Sequence, residues 1–537
     1  MRPDDWFLTA DERGNAATEI DRRRRDGLAW TSGNDVTVHV DGASYFARLD
    51  DELRRLRSGA QVWFTGWQGH ADQRLAGPGT EIGARLSKLA YLGVEVRGLL
   101  WRSHPRQANF SEEDNMQLAS DTNEHGAVLA LDGRVRRGGS HHQKFVVIGH
   151  GPADPTKRLA FAGGIDLCHG RRDDSIHGGD EQATDELDPR YGPRPPWHDV
   201  QLELHGPAVE DLAWSFRERW NDPEPLDHRN PLRSVQRSVI GQPEALEPLA
   251  EPPDLGPGSG THLVQVLRTY PARRPPYGFA PKGERSIARA HLKALRRARR
   301  LVVMEDQYLW AQDSANAIAE ALRTHHELQV VIVVPRYPDQ DGRISGPATR
   351  FARRNVIEIL TQAGGDRVAF YDLVNEAGAP IYVHSKICLI DDVWLEVGSD
   401  NLNRRSWTHD SEIACAVIDE ELDPRHPTDP GGLGDGARVL ARTTRIQLWH
   451  EHLGRSHGSN DDDLVDPGNA FDLLRVSAGR LAEWDRGPRT GPRPPGHLLP
   501  HRTPAIPAWI RPLAAFAYRT TLDPDGRPIK LRRKAEH

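Results

Sequence analysis

The chain has 537 residues, of which 37% are hydrophobic and 27% charged, with 14 Trp; this excludes a single small domain and wholesale disorder. Seventy-seven Asp and Glu against 70 Lys and Arg leave a formal charge of −7, which excludes a general attraction for nucleic-acid backbones. Three cysteines, Cys168, Cys388 and Cys415, allow at most one disulfide and no four-thiolate zinc cluster; they sit in apolar patterns, read as packing residues, and fit a reducing compartment.

Taken in chain order, the acidic start Met1 to Trp6 lacks the apolar stretch of a secretory signal, and no apolar run approaches the roughly 20 residues a bilayer span requires. A cytoplasmic or peripheral-membrane location without a transmembrane segment is expected. The run Arg22 to Arg25 reads as a solvated helix end. A strand pattern at residues 61–67 is followed by a helical stretch at 81–92 and a strand at 94–101. Then comes a strand carrying His142-Gln143-Lys144, and another ending in Gly163-Gly164-Ile165-Asp166. Trp63, Trp67, Trp214 and Trp220 read as core.

Between 221 and 260 eight of forty residues are proline, the composition of a linker or extended covering. The order of elements then repeats. Strand 301–308, helix 314–324 and strand 328–334 lead to His384-Ser385-Lys386, 242 residues beyond the first such motif, and to Gly398-Ser399-Asp400-Asn401. A helical pattern at 471–484, a second proline-rich stretch at 488–507 and a basic end, Lys530 to Lys534, complete the chain. The expected division is 1–220, linker 221–260, 261–455, and an extension 456–537. The expected fold is α/β: two similar α/β sandwich lobes related by a pseudo-twofold axis, with one shared active site at their interface.

On a strand, residues i and i+2 share a face, so each His-x-Lys presents an imidazole beside an ammonium. Such a pair holds an anion and disfavours a divalent metal, because a fixed cation stands two residues away and no second ligand of metal-site spacing accompanies either motif. If both pairs converge, with Asp166 and Asn401 at the rim, they surround a tetrahedral phosphate. Two histidines there permit a double displacement without metal or cofactor, one attacking phosphorus while the other protonates the leaving oxygen. Each imidazole then requires a carboxylate to set its tautomer and pKa; Asp199 and Glu412 are the candidates.

These residues resemble the phospholipase D superfamily, whose signature is His-x-Lys, then Asp after four intervening residues, then a Gly-Gly or Gly-Ser turn. The second copy, His384, Lys386, Asp391, Gly398, Ser399 and Asn401, matches throughout. HHQK at 141–144, GGIDLCHG at 163–170 with Arg171, WHDV at 197–200, EDQY at 305–308 and IYVHSK at 381–386 look like phospholipase D proper of eukaryotes and bacteria. The resemblance implies that His142 forms a phosphohistidine and that His384 is the general acid, then the base. It implies that Lys144, Lys386, Asn401 and Asp166, with Ser399, hold the nonbridging oxygens, and that Glu412 orients His142 while Asp199 orients His384. Asp391, Gly164 and Gly398 would be supporting. The first copy departs from the pattern: Gly149 stands where the motif has Asp, in a hairpin seven residues longer than its counterpart, with Asp154 as a possible substitute.

The implied activity is that of a phospholipase D, a metal-independent phosphoric diester hydrolase acting on glycerophospholipids at a membrane surface to give phosphatidic acid and a free alcohol, with alcohols able to replace water. A monomer without cofactor or nucleic-acid partner is expected. The alternatives are a cardiolipin-synthase-like phosphatidyltransferase or a nuclease of the same superfamily and, in another class, a non-catalytic phosphoanion-binding scaffold.

Overall fold

The computed structural model describes all residues except 25, 104–111, 152–156, 184–186, 227–237, 244, 253–255, 340–344, 457 and 535–536. Lobe 1 contains β1 (Thr31–Val40), β2 (Gln61–Gly66), β3 (Glu95–Trp101), β4 (Val128–Asp132), β5 (Phe145–Gly149), β6 (Arg158–Gly163), β7 (Trp197–His198) and β8 (Val200–His205). Lobe 2 contains β9 (His262–Tyr270), β10 (Glu284–Arg285), β11 (Leu301–Glu305), β12 (Gln329–Val333), β13 (Val368–Val374), β14 (Pro380–Val383), β15 (Ile387–Ile390), β16 (Trp394–Gly398), β17 (Glu412–Asp419) and β18 (Leu498–Pro500).

The first sheet runs β1-β8-β6-β5-β2-β3-β4, with β2, β3 and β4 parallel and the other pairs antiparallel. The second runs β9-β17-β16-β15-β11-β12-β13 with the same directions. Strand for strand the lobes match. Beyond this repeat, β14 and β18 both pair with β13, and the start of β1 pairs with β9, joining the sheets.

The central strands are near-continuous runs of Val, Ile, Leu and Phe because both faces are covered. The inner faces share one core with the helices Ala208–Trp220 and Val439–His452. Ala208–Trp220 is buried almost all round because it lies within that core. The outer faces are covered by Gly42–Arg55, Ile82–Tyr91 and Glu112–Asn123 in lobe 1, and by Ser286–Arg297, Gln312–Thr324 and Ser345–Gly364 in lobe 2.

Four expectations change. The His-x-Lys triplets do not lie on strands; each is the extended segment leading into one, β5 or β15. Trp6, Phe7, Leu8 and Trp30 pack among Leu267, Ile287 and Leu295 of lobe 2, although the sequence division placed them with lobe 1. Arg23 and Arg24 are not a solvated end, because both pair with Asp211, and Arg23 also with Glu210 at 2.8 Å. The expected extension is built into lobe 2 through β18 and the helix Pro467–Arg486, whose Phe471 and Leu474 enter the shared core. The described part of 221–260 is a covering: Trp220 Nε1 donates to the Glu247 carbonyl (2.9 Å) and Leu249 N to Asn221 Oδ1 (2.8 Å). Trp63, Trp214, Trp220 and the three cysteines are buried, the cysteines as free thiols.

Candidate active site

Each His-x-Lys segment is threaded against the other lobe. His142 N donates to the Ser411 carbonyl (2.9 Å) and Ser411 N to the Ser140 carbonyl (3.0 Å); reciprocally, β14 runs parallel to β7, and His384 N donates to the His198 carbonyl (2.8 Å). The residue following Ser411 and the one following His198 is in each case an acid, and it reaches the histidine across the interface. Glu412 Oε2 lies 2.9 Å from His142 Nδ1, and Asp199 Oδ2 lies 2.7 Å from His384 Nδ1. With Nδ1 donating to a carboxyl oxygen, each ring presents the Nε2 lone pair to the pocket.

The lysines complete the pocket. Lys144 Nζ donates to the His142 carbonyl (3.1 Å) and lies 3.3 Å from Asp166 Oδ2. Lys386 Nζ donates to the His384 carbonyl and to Gln307 Oε1 (3.3 Å). The two half-sites feel one another: Lys386 depresses His142, and Lys144 depresses Lys386. Burial, reinforced by Lys144, holds His142 well below the ordinary imidazole range; burial and Lys386 do the same to His384 against the pull of Asp199. Lys386 itself is brought down to about 8, chiefly by burial. The two acids diverge. Burial and the neighbouring Asp410 push Glu412 up to about 8, whereas for Asp199 the His384 and Lys386 charges outweigh burial and hold it at about 2.

The glycines of the turns are required by close approach. A Cβ on Gly164 would stand 2.2 Å from Asp199 Oδ1, and one on Gly398 would stand 2.5 Å from the Ala414 Cβ. Two expected phosphate ligands are committed elsewhere. Ser399 Oγ donates to Glu412 Oε2 (2.6 Å) and accepts from Ile413 N (3.0 Å), so it positions the acid behind His142. Asp166 accepts from Trp67 N (2.9 Å) and pairs with Lys144; as an anion it repels phosphate, and it orients the lysine instead. Asn401 is buried, and its Oδ1 has no partner among the described residues. Trp67, expected in the core, is only partly buried and sets its ring edge-on to His142 at 6.4 Å.

Asp391 has the supporting place. Its carboxylate accepts the backbone N–H of Arg299, Arg300 and Leu301 at 2.7 to 2.8 Å, tying the β15–β16 turn to the start of β11. At Gly149 the need is met otherwise: Gly59 N donates to Gly93 O (2.9 Å) and Ala60 N to Arg57 O (3.0 Å). A Cβ on Gly151 would stand 2.6 Å from Gly59 O, so the longer hairpin lies directly on that turn. Asp154 lies outside the described residues.

Behind His384 stands a buried network without a role in the sequence reading. His198 Nε2 meets Glu305 (2.9 Å) and its Nδ1 meets Asp41 and Glu451 (both 3.1 Å). His452 meets Glu305 (2.7 Å), His177 meets Glu451 (3.2 Å), and Ser385 Oγ donates to Glu305 (2.9 Å). Asp41, His177, His198 and Glu451 are near enough together to hold a cation. They are equally satisfied as ion pairs, since the carboxylates outweigh burial and raise His198 well above its ordinary range and His177 to about 8. His198 and Glu305 were visible within WHDV and EDQY; Asp41 and Glu451 carried no signal because they come from distant segments.

Two imidazoles, each backed by an acid of the opposite lobe and flanked by a lysine, can carry out acid, base and nucleophilic chemistry on a bound phosphate. A family model described as phospholipase D matches residues 62–245, and one described as cardiolipin synthase, PLD-like domain, matches 292–424. Phospholipase D alpha 1 of Vigna unguiculata and that of Arabidopsis thaliana are each 26% identical, over 82% of this chain and 67% of theirs. The structure of phosphatidylserine synthase from Haemophilus influenzae Rd KW20 overlaps 75% of this chain and 87% of its own, with 15% identity and a TM-score of 0.49. The chain belongs to the phospholipase D superfamily. It is an enzyme of the phosphodiesterase type, and none of its described helices is long and apolar enough to cross a membrane.

Proposed function

We propose that the protein cleaves a glycerophospholipid at the head-group side of its phosphodiester, at a membrane surface and without a metal ion. The observation that carries this reading is the exchange of acids between lobes, which supports a single site shared by two differently backed histidines and two lysines that feel one another's charge.

The difference between the acids supports the assignment of roles. Asp199, ionised behind His384, stabilises an imidazolium there, so His384 is the proton carrier; a bound phosphodiester anion offsets Lys144 and Lys386 and restores the proton that burial removes from the empty site. Glu412, pushed up, leaves His142 neutral, as a nucleophile must be. His142 Nε2 forms a bond to phosphorus as the P–O bond to the head group breaks, and His384 gives its proton to the departing oxygen. His384 then takes a proton from water or an alcohol, whose oxygen attacks phosphorus and expels His142. The lysines and the Asn401 amide face the nonbridging oxygens, supplying charge in place of a metal.

The test is incubation with mixed-head-group liposomes and with plasmid DNA in the presence of EDTA. Phosphatidic acid and free alcohol should form at the rate seen without chelator, and added alcohol should yield a new phosphatidyl ester. Strand cleavage without lipid turnover, or activity lost to EDTA and restored by zinc or magnesium, overturns the proposal.

A further inference from the structure

We infer that the C-terminal segment from Ala508 to Lys534 is the surface by which the enzyme docks on an anionic phospholipid bilayer. The inference rests on the lipid substrate proposed above and names what brings the chain to it.

Its helix, Arg511–Ala517, with the turns on either side, is apolar on two faces. One face is already used: Ala517 and Tyr518 pack with Trp310, Ala348 and Ala352, and Tyr518 Oη donates to the Trp310 carbonyl (3.1 Å). The other face carries Trp509, Leu513 and Phe516, which are 81%, 55% and 66% exposed. Their spacing of four and then three residues aligns them on one side, and Ile529 is exposed further along. An ordinary surface helix would be polar there. An exposed aromatic and aliphatic row rimmed by charge marks an interaction site.

Charge selects the partner. From Arg502 to Lys534 there are eight basic residues and two acidic ones, in a chain whose overall charge is −7. Asp523 is buried and Asp525 pairs with Arg527 (2.9 Å), so neither offsets the exposed Arg511, Arg519, Lys530, Arg533 and Lys534. Trp and Phe beside Arg and Lys suit the headgroup boundary of a bilayer bearing negative lipids. The patch is also tied to the reaction. Arg405 N donates to Asp523 (2.7 Å), Gly526 N to Thr408 Oγ1 (2.8 Å), and Arg136 to the Gly526 carbonyl. Arg405 and Thr408 belong to the helix Arg404–Thr408, which runs into Ser411 and Glu412, and Arg136 lies six residues before His142, so the segment is anchored to the stretches that carry the site.

The experiment compares the full chain with Trp509→Ser/Phe516→Ser and with Arg511→Glu/Arg519→Glu. Binding is read by co-sedimentation with vesicles of phosphatidylcholine, alone or mixed with phosphatidic acid; activity is read on the vesicles and on a soluble monomeric phosphodiester. Wild type should bind the mixed vesicles more tightly, with affinity falling as salt rises. Each double variant should lose at least tenfold in vesicle binding and in vesicle turnover while keeping wild-type turnover of the soluble diester. Variants that bind vesicles like wild type overturn the inference, as does a wild-type dimer that the variants dissolve while vesicle binding stays constant, which would make the row a self-association face. Absence of phosphodiester turnover with intact vesicle binding overturns the lipase reading but leaves the docking surface standing.

Discussion

The histidine of lobe 1 is backed by an acid from lobe 2 that burial pushes up to about 8, and its lysine is steadied by the carboxylate of Asp166; the histidine of lobe 2 is backed by an acid from lobe 1 held at about 2, and its lysine is steadied by the neutral amide of Gln307. The backbone around the two motifs is the same, down to the cross-lobe hydrogen bonds of His142 and His384. Duplication thus supplied the geometry, and divergence of the neighbours supplied the difference in proton affinity. A symmetric site has no reason to use one histidine as nucleophile and the other as acid. This one has.

The strongest way to break the comparison is to remove each histidine in turn. His142→Ala and His384→Ala should each lower turnover of a natural diester by more than the roughly 10²- to 10⁴-fold that acid-base catalysis alone supplies. With a nitrophenyl leaving group, which departs unprotonated, His384→Ala should still form the phosphohistidine but fail to hydrolyse it. Intact-mass analysis after a non-acidic quench should find the adduct on the peptide containing His142. An adduct on His384 in His142→Ala would reverse the roles.

The acids sharpen the comparison with a smaller effect. Asp199→Asn removes a charge that is present throughout the working pH range, and its turnover should fall by about 10²-fold at pH 7. Glu412→Gln replaces a group that is largely protonated there, and should cost about tenfold. Steady-state rates at pH 7 check both; equal losses would mean that the two acids do equivalent work.

Much of this was legible because two copies of a short pattern constrain one another. His142, Lys144, His384 and Lys386 stand out as two copies of one pattern; the need for a tautomer-setting acid made Asp199 and Glu412 candidates, and the family resemblance assigned each to its histidine. The misassigned phosphate ligands have one cause. Ser399 and Asp166 are polar residues beside a phosphate motif, and a sequence cannot tell a side chain that faces substrate from one that faces the residue facing substrate. Similarly, nothing local marks Trp6 as part of lobe 2, because a terminal segment is placed by whichever surface it can cover. The strand expected to reach 334 overran by one residue because Val334 continues the apolar run past β12, whereas the one expected to reach 308 ends at Glu305, before the polar Asp306 and Gln307.

The smallest predicted effect concerns the outer faces. Where β6 and its turn carry Phe161 and Ile165, the matching positions in lobe 2 are Glu396 and Asp400, buried with His291 and Trp407. His291 Nε2 lies 3.0 Å from Glu396 and 3.9 Å from Asp400, Trp407 Nε1 donates to Asp400 (3.3 Å), and Asp306 adds a further negative charge. Burial pushes Glu396 up to about 8. An unfolded glutamate loses its proton near about 4.3, so between that pH and about 8 the native chain binds more protons than the unfolded one, and stability falls as pH rises. Glu396→Gln keeps the shape and cannot ionise. Its melting temperature should match wild type near pH 5 and exceed it by a growing margin as the pH is raised to about 8.5. Parallel melting curves across that range would show instead that Glu396, at the position Phe161 holds in lobe 1, is ionised in the fold with His291 as its counter-charge.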